Sequence, residues 1–381
     1  MVDVLHLIDT YRIGGPGKTI INSAKFIDPA GYRVHVGAFT RTQPGFDEFA
    51  SAVRAAGIPF LDLPERRRIE PGHVGLIRRY VREHGIRIVH PHGYRTDVLA
   101  YLATRGLPVA VVTTHHGWIR NNSRQEFMAR MALQVCRLLD GVEVVSRRLL
   151  DELPGTVVRD GRAEVVHNAI VLGDYAPAGV GPEVRRDLGL PADAEVLGVV
   201  GRLSVEKGCL DMIAAFDILA ASRPRVHLAF AGEGPQLAEL KGRAAQSPAG
   251  DRIHFVGYQA SVRRFYEAID VLVSPSHTEG ISNAILEGMV VGCPIVATRV
   301  GGTPELVEDG SSALLVESQR PTDLAAAIAR VLAEPGLARA LVDGAKRRVE
   351  GEFAFPARMR KEEAFYQRTL TRRGLSGAAG R

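Results

Sequence analysis

The chain reads as an α/β protein made of two open units, each a parallel sheet wound on both faces by helices. Three observations carry that reading. Short apolar runs alternate with amphipathic helical stretches along nearly the whole chain. The alternation breaks once, at residues 172–182, LGDYAPAGVGP, and then starts again. In the later half, the chemically loaded positions Arg202, Gly232, Gly234 and Glu279 each fall just after an apolar run. Strand–helix alternation is the signature of a doubly wound sheet, and ligands of such sheets bind beyond the carboxyl ends of the strands.

The elements follow in order. The first half predicts strands at 4–7, 33–38, 86–90, 109–114, 141–145 and 163–166. Helices are expected between them at 19–26, 46–56, 75–84 and 125–138. The Gly-, Pro- and Ala-rich stretch 172–182 reads as a linker, which puts the domains at 1–175 and 180–355. The second half predicts strands at 196–200, 226–231, 253–256, 271–274, 294–297 and 313–316. Its helices are expected near 207–222, 235–246, 261–268, 282–291 and 322–332. Residues 355–370 have the pattern of a last amphipathic helix, and the Gly-, Ser- and Arg-rich tail from Arg372 is expected to be disordered. Two such domains are expected to face a cleft, a favoured place for a ligand.

The length of 381 residues suits two domains. With 46% hydrophobic and 24% charged residues, a sizeable core is available. A formal charge of +5 suits an anionic substrate or membrane surface, and no basic motif interleaved with aromatics argues for nucleic acid. Cys136, Cys209 and Cys293 are widely spaced and odd in number, so neither a disulfide framework nor a zinc site is indicated. The N-terminus, MVDVLHLIDT, lacks a basic n-region and reads as a buried strand rather than a signal peptide. No apolar run approaches the roughly 20 residues of a membrane span. The expectation is a cytoplasmic protein with at most peripheral contact with the inner face of a membrane.

The most informative stretch is 274–305, SPSHTEGISNAILEGMVVGCPIVATRVGGTPE. Glu279 sits in a loop, Gly280 follows it, and a helix-forming run from Ser282 to Met289 carries Glu287. A fresh helix N-terminus offers free backbone N–H groups and a positive dipole end to an anion. Carboxylates repel that anion but accept hydrogen bonds from hydroxyls. Phosphates flanked by hydroxyl-rich rings describe a nucleotide-sugar.

Other motifs add to this. Gly201-Arg202-Leu203-Ser204-Val205-Glu206-Lys207-Gly208 links a buried strand to a helix, with two cations able to meet one diphosphate. YRIGGPGKT at 11–19 ends in Gly-Lys-Thr, but a P-loop needs glycine where Arg12 stands, so that reading fails. What remains is the Gly14-Gly15 turn, whose backbone can approach a phosphate. Thr114-His115-His116-Gly117 closes a strand, and at most one of the two histidines is expected to line a site, because adjacent side chains point opposite ways. His90 and His92 read as strand-end residues. Gly232-Glu233-Gly234-Pro235 is a tight turn able to pass beneath a nucleotide. The stretch from Trp118 through Arg137, with Arg120, Arg124 and Arg130, reads first as a solvated helix face and second as a membrane-surface helix. No Asp-x-Asp follows an apolar strand, so no divalent metal is expected at the diphosphate; Arg202, Lys207 and the helix N-terminus would take its place.

Together these residues resemble the family-4 retaining glycosyltransferases of the GT-B fold, over nearly the whole chain. The resemblance implies two Rossmann-like domains with the last helix, about 356–372, crossing back to the first. It implies that Arg202 and Lys207 bind the donor diphosphate and that Glu287 holds the nucleotide ribose. Glu279 would lie by the donor sugar, whose hydroxyls also meet the backbone from Gly280 through Ile281 and Ser282 to Asn283. His116 would lie near the reaction centre, and Gly15 would contact phosphate. The doubled His115-His116 and the lysine of Pro16-Gly17-Lys18 depart from the family pattern. The implied activity is transfer of a sugar from a nucleoside-diphosphate-sugar to a hydroxyl of a glycan or lipid-linked acceptor, with no cofactor, in bacterial surface polysaccharide or glycoconjugate synthesis. A nucleotide-sugar epimerase of the same fold and a non-catalytic nucleotide-sugar-binding subunit are the alternatives.

Overall fold

A computed structural model describes residues 1–41, 47–65, 70, 72–116, 123–259 and 261–375. The chain divides into two compact units, Met1–Asn168 with Phe355–Arg381, and Ala169–Ala354.

Among the described residues the first unit holds seven strands: β1 Val2–Ile8, β2 Tyr32–Thr40, β3 Phe60–Pro64, β4 Ile88–His92, β5 Ala110–His115, β6 Gly141–Val144 and β7 Ala163–Val165. They pair in parallel in the order β3-β2-β1-β4-β5-β6-β7. The order of addition reverses between β1 and β4. β3 was not expected: FLDLP is short and ends in proline, and its alternating burial gives no continuous apolar run. The helix Tyr94–Thr104 was also missed. It buries Thr96, Asp97 and Thr104, so no apolar stripe marks its inner face. Gly15–Phe26 starts four residues earlier than its periodicity suggests, with Pro16 in the first turn, where a missing N–H costs nothing.

The last helix, Phe355–Arg372, packs on this sheet through Phe355, Met359, Phe365 and Tyr366. Arg358, fully buried, donates to the carbonyls of Val166 and His167 at 3.1 and 2.9 Å and pairs with Glu362 at 2.9 Å. Burial and the neighbouring Glu362 hold the Glu143 carboxyl well above the usual carboxylate range.

The second unit holds β8 Glu195–Val200, β9 Val226–Ala231, β10 Ile253–Gly257, β11 Val271–Ser274, β12 Ile295–Thr298 and β13 Leu314–Val316. These also pair in parallel, in the order β10-β9-β8-β11-β12-β13, so the reversal falls between β8 and β11. Leu197, Val199, Phe216, Phe230, Val271 and Val273 belong to its core. The stretch 172–182 is more than a linker. It contains the 3-10 turn Leu172–Tyr175 and opens the helix Gly181–Asp187. The helix Pro335–Glu352 was not expected either. No helix among the described residues is long and apolar enough to cross a membrane.

Candidate active site

In the second unit the chain leaves β8 at Val200 and β11 at Ser274, the two strands flanking the reversal. A crevice opens at that position in doubly wound sheets, and two loops fill its rim here. Residues 201–208 follow β8 and residues 275–282 follow β11. Their backbones touch: a Cβ on Gly208, at φ +64°, would stand 2.0 Å from the Pro275 carbonyl oxygen. A Cβ on Gly234 would stand 2.2 Å from the Leu203 carbonyl oxygen, so the turn after β9 closes on the first loop from the other side. The Glu206 carbonyl accepts from the His277 N–H at 2.8 Å, which ties the two loops together.

Arg202, Lys207, Glu279 and Ser282 line one small hollow between these loops. Lys207 Nζ lies 2.6 Å from Glu279 Oε2, which also accepts from the Ser276 hydroxyl at 3.1 Å. Arg202 is exposed, and its guanidinium makes no hydrogen bond or ion pair with a described residue. Burial works to raise the Glu206 carboxyl, but the Ser204 hydroxyl, donating at 2.6 Å, and the cations Arg202 and Lys207 hold it below its ordinary value. The rim therefore carries one engaged cation and one open one.

The helix Asn283–Val291 begins at this rim with Ser282 as its cap, the hydroxyl accepting from the Ile285 N–H at 3.5 Å. Asn283 is exposed at the first helical position, Ile281 is buried, and the Gly280 carbonyl accepts from the Gly302 N–H at 3.0 Å. Glu287 stands one turn further on and does not line the hollow. Its carboxylate accepts from two phenols, Tyr175 at 2.7 Å and Tyr266 at 2.8 Å. Burial and this carboxylate push both phenols above their ordinary value. Sequence reasoning missed both tyrosines. Tyr175 lay in the apparent linker, and Tyr266, fully buried, looks like any core aromatic. The Ser276 contact to Glu279 was missed too, although its place three residues before the glutamate was visible.

In the first unit, Gly15 is the first residue of its helix, and Gly14 before it has φ −96° with open space where a side chain would stand. Neither takes the left-handed conformation, so no turn demands glycine there and the open backbone is left for close approach. The paired histidines separate as the alternation requires. His115 is buried, with Nε2 3.0 Å from Cys136 Sγ. His116 is half-buried, with Nε2 3.4 Å from His92 Nδ1. Burial lowers the imidazole of His115 to about 4 and that of His116 to about 3. His90 is wholly buried rather than at an open strand end. Gly117, Trp118, Ile119 and Arg120 lie outside the described residues.

Comparison with known proteins decides the family. The family described as Glycosyl transferases group 1 matches residues 181–348, and Glycosyltransferase Family 4 matches residues 13–173. A D-inositol 3-phosphate glycosyltransferase of Thermobispora bispora is 30% identical over 310 residues, covering 75% of this chain and 71% of that protein. The chain belongs to the family-4 glycosyltransferases. A protein of the same name from Actinosynnema mirum is 29% identical over 371 residues, covering 87% of each chain. Among solved structures, Anabaena HepE in complex with UDP and glucose superposes with a TM-score of 0.82 at 21% identity, covering 96% of this chain and 100% of that one. The glycosyltransferase thus has the GT-B fold, with two Rossmann-like α/β units.

Proposed function

We propose that this glycosyltransferase transfers a sugar from a nucleoside-diphosphate-sugar to a hydroxyl of a glycan, polyol or lipid-linked acceptor, with retention at the anomeric carbon and without a metal. The observation that carries the reading is the hollow at the β8/β11 reversal, where Arg202, Lys207 and the N-terminus of Asn283–Val291 converge beside Glu279. The leaving diphosphate gains charge in the transition state. Donors fixed beforehand on that charge lower the barrier more than they tighten ground-state binding. Lys207 would exchange its partner Glu279 for phosphate and free that carboxylate for a sugar hydroxyl. Glu287, oriented by Tyr175 and Tyr266, would accept from the ribose diol. Gly15, Gly234 and the backbone from Gly280 to Asn283 complete the donor contacts, and His116 acts at the reaction centre.

The relatives' name supports a polyol among the acceptors, and the ligands of the HepE complex support a uridine donor. A cytoplasmic enzyme working on surface glycans, with peripheral membrane contact, is part of the same reading. The test is a thermal-shift screen of nucleoside diphosphates and their sugars in the presence of chelator. The cognate donor at a hundredfold excess over its dissociation constant should stabilise the protein by about 2.7 kcal/mol. No shift with any member of the panel would overturn the reading, as would product with inverted anomeric configuration for the retaining assignment.

A further inference from the structure

The first unit has its own strand-order reversal, between β1 and β4, and histidines occupy it. His6 of β1 pairs in register with His90 of β4, and His92 follows two residues on, so all three share one face of the sheet. His116 stands just past the end of β5. His6 Nδ1 and His92 Nε2 share a hydrogen bond of 2.9 Å, and His92 Nδ1 and His116 Nε2 approach to 3.4 Å. The ring planes differ by 16° and 21° at these two contacts, with centroids 5.2 and 5.7 Å apart. The nitrogens are much closer than the ring centres, so the rings meet edge to edge in one nearly flat row.

The same histidines could suggest a metal centre, since ligand atoms of His6, His90 and His92 lie within 4.8 Å of one another. The hydrogen bonds argue otherwise. His90 has both nitrogens engaged by hydroxyls at 2.6 Å, Nδ1 by Tyr366 and Nε2 by Thr114. That leaves two imidazoles already bonded to each other, which is too few for a stable site.

We propose that His6, His92 and His116 form one hydrogen-bonded imidazole chain that fixes the tautomer of His116 with the proton on Nδ1, so that His116 offers its ligand a neutral N–H donor and not a base. His92 and His6 are then positioning residues. The polarity follows from the buried end. His6 is 1% exposed, and its Nε2 has no hydrogen-bond partner among the described residues. A buried orphan N–H is rarer in proteins than an under-satisfied acceptor, so the bare lone pair falls on His6 Nε2. His6 Nδ1–H then donates to His92, His92 Nδ1–H donates to His116 Nε2, and His116 Nδ1–H is left over. His116 makes no other hydrogen bond with a described residue. Burial depresses all three imidazoles, to about 4 for His6 and about 3 for His116, which keeps the row neutral at physiological pH.

The inference depends on the proposed function only for what His116 would touch: a donor N–H at a reaction centre steadies an oxygen that gains charge, and leaves proton removal to another group. Its test does not need the reaction. Protein labelled with 15N in histidine is examined by long-range proton–nitrogen correlation spectra from pH 5 to 9, as wild type, His92→Phe and His92→Gln. The expected result is a single His116 tautomer, protonated at Nδ1 and not titrating over that range. His92→Phe should turn it into a tautomer mixture, and His92→Gln, whose amide both donates and accepts, should restore it. His116 protonated at Nε2, titrating near its ordinary value, or indifferent to His92→Phe would overturn the proposal. If His92→Phe fails to fold, the wild-type spectrum alone decides. Stoichiometric Zn2+ binding at micromolar concentration, read by calorimetry, would replace the chain with a metal site. Absence of glycosyl transfer by a wild type that shows the single His116 Nδ1–H tautomer would count against the functional reading and leave the chain intact.

Discussion

The two reversal points of this glycosyltransferase use the same topology for opposite electrostatics. In the second unit the ends of β8 and β11 carry flexible full charges: Arg202 is open, and Lys207 lies 2.6 Å from Glu279. In the first unit the ends of β1 and β4 carry neutral rings, buried at His6 and half-buried at His92 and His116, in line at 2.9 and 3.4 Å. One sheet plan thus serves two tasks. In the proposed function, a ligand that arrives charged would meet cations whose partners can be exchanged. A group that must present one fixed dipole is met by side chains whose protons have nowhere else to go.

The charged side is the more exposed to mutation. Lys207→Ala should lower turnover by about two orders of magnitude or more, the scale on which a donor aimed at transition-state charge contributes, with unchanged circular dichroism. Near wild-type turnover would remove the lysine from the site. The loop geometry comes next. Gly208→Ala forces a side chain into the left-handed region and against the Pro275 carbonyl oxygen, 2.0 Å from its Cβ. It should cost about 3 kcal/mol, read by denaturant unfolding, as strain and overpacking commonly do; an unchanged midpoint would mean the two loops are not wedged together.

Smaller effects separate the two sites further. Glu287→Ala should weaken nucleotide binding about ten- to a hundredfold by calorimetry, since a hydrogen bond to a charged group contributes roughly 1.5–3 kcal/mol. Unchanged affinity would refute the ribose assignment. On the neutral side, Asp97 is wholly buried and accepts from the Thr113 hydroxyl at 2.6 Å. Burial raises its carboxyl to about 7 from an ordinary value of 3.8. Below pH 3.8 it is protonated both folded and unfolded. As pH rises from there to about 7, the unfolded chain loses a proton that the folded one keeps, so stability should fall by at most about 1.4 kcal/mol per pH unit and then level off. Asp97→Asn should remove that slope; a slope identical to wild type would assign it elsewhere.

Much of this was legible in the chain because charge and glycine punctuate strand ends. Arg202 and Glu279 stood out as charged residues just after apolar runs and Lys207 as the second cation of the loop that Arg202 opens, and the fold brings all three around one hollow. The apolar runs of the second unit's strands are continuous because both faces are covered, and these were read to within a residue or two. What stayed hidden lacked that contrast. β3 is an edge strand with alternating burial, and Tyr94–Thr104 turns Thr96 and Asp97 inward. Tyr175 and Tyr266 orient Glu287 from 112 and 21 residues away in sequence, a relation no local pattern carries. The histidine row was invisible for the same reason. His6, His92 and His116 are each unremarkable alone, and only the parallel register of β1, β4 and β5 sets them side by side.

At the root of the proposed chemistry, the second unit holds a nucleoside diphosphate with its own cations rather than with a metal. Calorimetric titration of the cognate nucleoside diphosphate, in excess chelator, into the wild type and an Arg202→Ala/Lys207→Ala double variant puts this to the test. Clear binding to the wild type under chelator and a loss of at least a hundredfold in the variant are expected. Binding that returns only with added magnesium, or that is equal in the two proteins, would refute it.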